Sequence, residues 1–406
     1  MIPRRAIHII NGEFRLLMRS RDKYAPSDSI GNWERVFADY INVKDAITAV
    51  SGRQGLRVIL ASLGLREGDE VIIPAYTLKD LIGIINSLGL IAVPADIDPL
   101  TFNIAPESIL KRVTGRSRVI LATHIFGAPC RIDSILKIAK ERGIVVIEDC
   151  AHAAGAEFKG KKVGGFGEAS LFSFETIKPI NTYGGGMVVT NNKDLAIKIR
   201  QRIAHDKHER SIPIKKIIIS RLEQILLPTP FSFIPLYCLA SEDWSDKIYR
   251  LYRISQKLSG FKHGFSEFQA RLGIAKIKTL DNRISRRRAQ AGLFKKLLDS
   301  RIALQHNEED AAPNYYFFVA ILPFSPVRVR KFLLRHGIDS GIGAEITDDC
   351  AKILCYNDCV NTVNTSRYAI QLPLHEGVSQ ENIYYIADKL NQFIKKHENS
   401  IDRPVV

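Results

Sequence analysis

The sequence predicts an α/β fold, a mostly parallel sheet flanked by helices, and three observations lead there. Short apolar runs rich in Val and Ile recur at residues 46–50, 71–75, 90–95, 117–123, 144–148, 169–174 and 186–190. Amphipathic, helix-like stretches such as 53–64 and 131–142 lie between several of them. The runs are apolar throughout rather than alternating, as strands covered on both faces require. Strand and helix signals that alternate in this way give a layered α/β architecture.

The bulk numbers agree with a globular protein. The chain has 406 residues, 46% hydrophobic and 25% charged, enough for two or three domains with a large core. Lys and Arg number 58 against 43 Asp and Glu, a formal charge of +15. Such a balance attracts anions: nucleotides, phosphates or an acidic membrane surface. No helix-turn-helix or RNA-binding signature is present, so nucleic acid is not expected. Six cysteines in a chain of this length do not form a secreted disulfide framework. The opening "MIPRRAIHIINGEFRLLMRS" lacks a continuous apolar core and a small-residue cleavage site, so a cytoplasmic location is expected. Cys350, Cys355 and Cys359 in "DDCAKILCYNDC" match no common zinc or iron–sulfur spacing. Reduced thiols on a helix and loop are expected there, and no metal.

Ligands of parallel sheets bind beyond the carboxyl ends of the strands. The residues just after each run are therefore the candidates. "AVSGRQG" (49–55) turns from strand to helix through Ser51 and Gly52, and free N–H groups at a helix start suit a phosphate. "VVIEDCAHAAG" (145–155) ends a strand on Glu148 and Asp149, with His152 three residues on. An acid ending an apolar strand is costly unless paired or functional. "LATHIFGAP" (121–129) ends another strand on His124. Each of these alone is a helix cap or a satisfied polar group. "SLFSFETIKPINTYGGGMVVT" (170–190) adds Lys178, placed between two apolar runs. A surface turn could carry such a lysine. So could a dry pocket that needs an amine for covalent chemistry. Taken together, the four strand ends describe a pocket.

The second half differs. Residues 266–298 read as one long helix with a basic face. "NYYFFVAILP" reads as a strand, "PVRVRKFLLRHGI" as a helix and "SQENIYYIADKLNQFIKKH" as a last helix, which makes an α+β domain. Between the halves, residues 225–240 are almost wholly apolar, interrupted by Pro228, Pro230 and Pro235, too short to span a bilayer as one helix. Lys215, Lys216, Arg221, Lys247 and Arg250 flank them. Two readings stay open: a lid or dimer-packing element, or a patch that dips into an anionic membrane surface.

One stretch carries a resemblance. "VIEDCAHAAGAEFKGKKVGGFGEASLFSFETIKPINTYGGGMVVTNN" (146–192) runs acid pair, His, Gly-rich turn, Ser-Phe, Lys, glycine run, strand. That order is similar to the DegT/DnrJ/EryC1/StrS family of pyridoxal 5'-phosphate-dependent sugar aminotransferases. "PAYTL" (74–78), "ADIDPLTFNI" (95–104), "THIFG" (123–127) and "LPLHEGVSQENI" (372–383) support it. The likeness runs from about residue 34 to the last helix, apart from an insert at 205–258. It implies fold type I, a large cofactor-binding domain (1–258) and a smaller α+β domain (259–406).

The resemblance also implies roles. Lys178 would hold the cofactor as a Schiff base and carry the transferred proton, which needs an amine whose ammonium form is destabilised. Asp149 would contact the pyridine nitrogen and keep it protonated. His152 would reach the phenolic oxygen. Ser173 would bind the phosphate with Gly52 and Arg53. Leu78 would cover the ring, where an aromatic is usual in the family, and Tyr76 need not face it. Lys262, in "GFKHGF" (260–265), stands where the family's partner-reaching Asn is usual. Arg53 replaces a threonine, Gly184-Gly185-Gly186 lacks the usual glutamate, and "GIGAEITDDC" (341–350) lacks the family's His and Tyr. The implied activity is transfer of an amino group, from glutamate, to a nucleotide-linked keto-sugar by a homodimer in glycan precursor synthesis. A lipid-linked acceptor and a non-catalytic binding protein on the same fold are the alternatives.

Overall fold

The computed structural model describes residues 1–19, 28–205, 209–229, 237 and 263–398. The seven apolar runs become the seven strands of one sheet. Its order is Asp45–Ala49, Gly186–Thr190, Ala169–Ser173, Val145–Asp149, Ser117–Thr123, Glu70–Pro74, Ile91–Ala95. The last five of these run parallel to one another. Gly186–Thr190 is antiparallel to both strands beside it. The sheet is thus mixed and mostly parallel, and apolar clusters cover both its faces. This two-sided cover is why the runs carry no polar alternation.

Helix Gly52–Ser62 packs on the strands Ala169–Ser173 and Gly186–Thr190. A Cβ at Gly55 would lie 3.3 Å from Val188, so this helix rests directly on the sheet. Ser51 caps it, its hydroxyl accepting from the Gln54 N–H at 3.1 Å.

The later part of the chain forms a second, antiparallel sheet of four strands: Ala303–Leu304, Phe318–Ile321, Ala369–Leu372, Gly341–Ile342. Helices Pro326–Arg335 and Gln380–Lys396 share its apolar core. The expected single helix over 266–298 is two helices, Glu267–Ile277 and Leu280–Leu297. The break has a packing cause. The first helix buries its apolar side against Ser29–Ile41, the second against Gln380–Lys396. One straight rod does not reach both.

Two short ladders tie the sheets together. Ala311–Ala312 pairs with Glu157–Phe158, and Asp348–Asp349 pairs with Tyr76–Thr77. The N-terminal segment crosses as well: Ile2 bridges Ile338, and Arg4 pairs with Asp339 and Glu345. Helix Ile214–Leu226 lies within the stretch 205–258 read as an insert. The rest of the apolar stretch 225–240, apart from Tyr237, lies outside the described residues beyond 229, and so does Lys262. Among the described residues no helix is long and apolar enough to cross a membrane.

Candidate active site

Lys178 ends a tight turn whose first residue is Glu175: the Lys178 N–H donates to the Glu175 carbonyl at 2.9 Å. The turn follows the strand Ala169–Ser173 and precedes Gly184-Gly185-Gly186. Tyr183, Gly184 and Gly185 all have positive φ (60°, 131° and 94°). Gly185 has no room for a side chain, since a Cβ would come within 2.4 Å of the Phe265 ring. Gln269 fixes the same loop, its side-chain amide donating to the carbonyls of Thr182 (3.2 Å) and Gly184 (3.1 Å).

Lys178 keeps some exposed surface but is enclosed by protein atoms, as a group on a cleft floor is. Burial lowers its pKa to about 8; Asp149 and Glu175 oppose the shift, and Arg53 adds to it. Its Nζ lies 4.7 Å from the centre of the Tyr316 ring. Asp149 ends its own strand, buried, with Oδ1 accepting from the Ala151 N–H at 3.0 Å. Burial pushes this carboxyl up, and the Ala151 hydrogen bond and the Lys178 charge hold it down. His152 Nδ1 accepts from the Phe126 N–H at 3.3 Å, so in the neutral ring Nε2 carries the proton. Burial first, then the Lys178 charge, hold His152 well below the usual histidine range. It is a neutral donor.

The other expected residues divide. Gly52 and Arg53 open their helix beside Ser173. A Cβ on Gly52 would sit 3.2 Å from the Ser173 Cβ and 3.3 Å from the Phe172 carbonyl, so the helix start lies close against the strand end and a side chain here would press the two apart. Arg53 is held by Asp80, Nη1 to Oδ2, at 2.8 Å. Leu78 is half-buried against the apolar cluster that also takes Ala151. Tyr76 is buried against Phe126, with ring centroids 6.0 Å apart, and belongs to the core.

His124 and Glu148 do not join the cleft. They form a buried pair, Nε2 to Oε2 at 3.1 Å. Glu148 also accepts from the N–H groups of Gly164, Phe166 and Gly167, each at 2.8 Å, and from Ser170 Oγ at 3.2 Å. With Cys150 these two residues could surround a metal ion. The donor set argues otherwise. His124 Nδ1 accepts from the Cys130 N–H, Nε2 then donates to Glu148, and no ring lone pair is left over. The pair ties these two strand ends to the turn around 164–167, and the backbone N–H of His124 separately donates to the Asp149 carbonyl at 3.1 Å.

Sequence reasoning passed over two residues here, Tyr316 and Asn314. Asn314 donates to the carbonyls of His152 and Ala154, each at 2.9 Å, and accepts from the Tyr316 N–H at 2.9 Å. It thereby locks the His152 turn to Tyr316. The only signal was that "PNYYFF" places polar and aromatic residues before a strand.

The cleft therefore gathers a lysine of lowered pKa, a buried carboxylate, a neutral imidazole and a helix start set against Ser173. The DegT/DnrJ/EryC1/StrS aminotransferase family profile matches residues 11–391. The chain belongs to that family. A GDP-perosamine synthase of Escherichia coli O157:H7 is 29% identical over 376 residues, 90% of each chain. DesI, solved in the presence of its TDP-sugar product, superposes with a TM-score of 0.74 over 98% of this chain and 95% of that one, at 22% identity. Spr1654 of Streptococcus pneumoniae, solved in a PLP form, gives 0.76 over 97% and 99%, at 20% identity. As a family member the chain shares the aminotransferase fold with both. A cavity of about 650 Å³ lies apart from the family's cleft, between the N-terminal segment and the C-terminal helix, lined by Arg5, Gln224, His336 and Tyr385. It holds none of the groups gathered at Lys178.

Proposed function

We propose that this chain is a pyridoxal 5'-phosphate-dependent aminotransferase that moves an amino group, from glutamate, to a nucleotide-linked keto-sugar. The observation that carries the reading is the placing of Lys178: it ends a tight turn after a sheet strand, enclosed by protein atoms, with Nζ 4.7 Å from the centre of the Tyr316 ring and burial lowering its pKa. The residues present fit the cofactor: the helix start at Gly52, set beside the Ser173 side chain, suits its phosphate, and the buried Asp149 suits a protonated ring nitrogen. When bound, the cofactor supplies an electron sink for the carbon that loses or gains a proton.

The chain's own residues do the rest. Lys178 Nζ would hold the cofactor and then move the proton, since an amine near neutrality is both free to attack and able to accept. Asp149 would fix the ring nitrogen. The His152 Nε2–H would donate to the phenolic oxygen. Ser173, the helix-start amides and Arg53 would bind the phosphate, with Arg53 supplying the charge. Leu78 would cover the ring. Lys262 would reach a partner's phosphate in a homodimer. The division into 1–258 and 259–406 belongs to the same proposal; the smaller sheet has its own apolar cluster, while Phe265, Ala270, Ile277, Leu280 and Ile284 share the cluster of the large sheet, which favours a boundary later than 258. The GDP-perosamine synthase likeness favours a GDP-linked sugar and glycan precursor synthesis.

The test is reduction with borohydride after adding cofactor, then peptide mapping, beside Lys178→Ala. The mass of the reduced cofactor on the Lys178 peptide, followed by turnover with glutamate and keto-sugars, is expected. Unmodified protein in both samples overturns the reading.

A second reading, a lipid-linked acceptor at a membrane, rests on one observation. The outer face of helix Ile214–Leu226 exposes Ile218, Ile219, Leu222, Ile225 and Leu226, with exposed Lys215 beside them. A solvated helix carries polar residues on that face. The occupant this favours is an anionic bilayer, attracted by the +15 chain. Co-sedimentation with phosphatidylglycerol vesicles, lost in Ile218→Glu/Leu222→Glu, is expected. No sedimentation, with a dimer that falls apart in the same variant, assigns the face to a second copy.

A further inference from the structure

We propose that Lys216, carried on the helix Ile214–Leu226, is a positioning residue of the amino-transfer site: by pairing with Glu175 it sets the charge that Lys178 feels. The proposal deepens the aminotransferase reading and rests on it only for its consequence, not for its test.

The geometry is direct. Lys216 Nζ reaches both oxygens of the Glu175 carboxylate, at 2.7 and 2.8 Å. Glu175 Oε1 also accepts from the Thr176 N–H (3.0 Å) and the Thr176 hydroxyl (3.2 Å). The Glu175 carbonyl accepts from the Lys178 N–H, so the carboxylate and the amine share one turn. A Cβ on Gly184 would stand 3.7 Å from Lys216 Nζ, so the ammonium also lies against the glycine run.

The helix that brings Lys216 is anchored. Arg221 pairs with Glu13, Gln224 donates to the Ile7 carbonyl at 3.2 Å, and Ile217 packs against Ile7, Tyr183, Phe268 and Leu272. Lys216 is thus delivered to the catalytic turn by a rigid element, not by a free side chain on a loop.

The sign follows from Coulomb's law. A carboxylate beside Lys178 favours its ammonium, and an ammonium on that carboxylate cancels the effect. The groups facing Lys178 are Asp149 from one strand end, Arg53 from the helix start, His152 and Tyr316 from across the cleft, and Glu175 from its own turn. Of these charges, Glu175 is the one whose strength Lys216 controls. Burial pushes the Glu175 carboxyl up and Lys216 pulls it down, as a coupled pair requires. The bland alternative is an ordinary half-exposed ion pair that only tethers the helix, worth little to the fold.

The experiment titrates Lys178 in the cofactor-free protein, by competitive acetylation across pH and mass-spectrometric counting of the Lys178 peptide. Four proteins are compared: wild type, Lys216→Met, Lys216→Arg and Glu175→Gln. Lys216→Met is expected to raise the Lys178 pKa by about 0.5–1 unit, a roughly three- to ten-fold fall in free amine at neutral pH. Lys216→Arg is expected to keep the wild-type value, and Glu175→Gln to lower it. Adding Lys216→Met to Glu175→Gln is then expected to raise the Lys178 pKa by less than in the wild-type background, because without the carboxylate the Lys216 ammonium is no longer held beside the turn. An unshifted titration in Lys216→Met, with only a lower melting temperature, overturns the proposal. So does a shift of the same size in the Glu175→Gln background. Because no cofactor or turnover is involved, this outcome is separate from failure of the aminotransferase reading.

Discussion

The imidazole of His152 stacks on the phenol ring of Tyr316, centroids 4.4 Å apart and planes 24° apart. The same ring lies under the Lys178 ammonium, 4.7 Å from Nζ to its centre. One aromatic side chain, contributed from beside the second sheet, therefore touches two groups of the cleft. A ring face favours a cation, so Tyr316 opposes the burial that frees the amine.

Replacing Tyr316 by Leu is expected to lower the Lys178 pKa by up to about 1 unit, since a cation–π contact is worth about 0.5–2 kcal/mol. Tyr316→Phe is expected to leave it close to wild type. The pH dependence of Lys178 labelling in each variant gives the answer. A rise in Tyr316→Leu would mean that lost burial outweighs the lost ring face.

Lys178 costs the fold stability at neutral pH. Its pKa is about 8 folded against 10.5 unfolded. Below pH 8 both states hold the proton, and the folded state bears the burial penalty. Between 8 and 10.5 the unfolded state binds more protons, so stability rises with pH. Lys178→Met in cofactor-free protein is expected to melt higher at pH 7, on the order of 2–3 kcal/mol in its favour. That advantage should shrink by pH 10. Equal melting temperatures at pH 7 would show that the amine is better solvated than its surroundings suggest.

Glu148 should matter to folding, not to chemistry. It accepts five hydrogen bonds in the interior, one from His124. Glu148→Ala is expected to cost about 3–5 kcal/mol, because the donors stay buried without an acceptor. Burial alone would raise its pKa; the bond to His124 and the backbone donors hold it below the usual value. Its contribution is therefore present above the unfolded pKa and lost as pH falls through the lower folded value. Denaturant melts from pH 7 down to pH 3 test this, and Glu148→Ala should flatten the acid limb.

Gly52→Ala separates the phosphate from the rest of the cofactor. The added methyl would press on the Ser173 Cβ and the Phe172 carbonyl at 3.2 and 3.3 Å, pushing the helix start, whose N–H groups are proposed to bind the phosphate, away from Ser173. Pyridoxal phosphate affinity is expected to fall at least about ten-fold, or about 1.4 kcal/mol, while pyridoxal without phosphate binds as before. Equal losses for both ligands would place the phosphate elsewhere.

Much of this was legible in the residues. All seven strands of the main sheet fall within a residue of the runs read from Val and Ile content, because strands buried on both faces leave an unbroken apolar mark. Lys178 and Asp149 stood out because charges at the ends of such strands need a reason. What misled was adjacency. Glu148 and Asp149 look alike in sequence, but successive strand residues point to opposite faces. One is locked to His124 and the other faces Lys178. The single helix drawn over 266–298 failed for a similar reason, since helical spacing does not record which partner each half packs against.

The sequence by itself determined the α/β class, the strand ends that carry chemistry and the lysine among them. These are local properties: side-chain period, apolar content and the cost of charge at a buried end. Tertiary structure decided what those residues can do. It set Asp149 against Lys178, put the Tyr316 ring beside the amine from across the chain, and brought Lys216 onto Glu175. A pKa is fixed by everything within a few ångströms, and those neighbours lie up to 138 residues away in the chain for Tyr316 and Lys178. No spacing in the sequence encodes that distance.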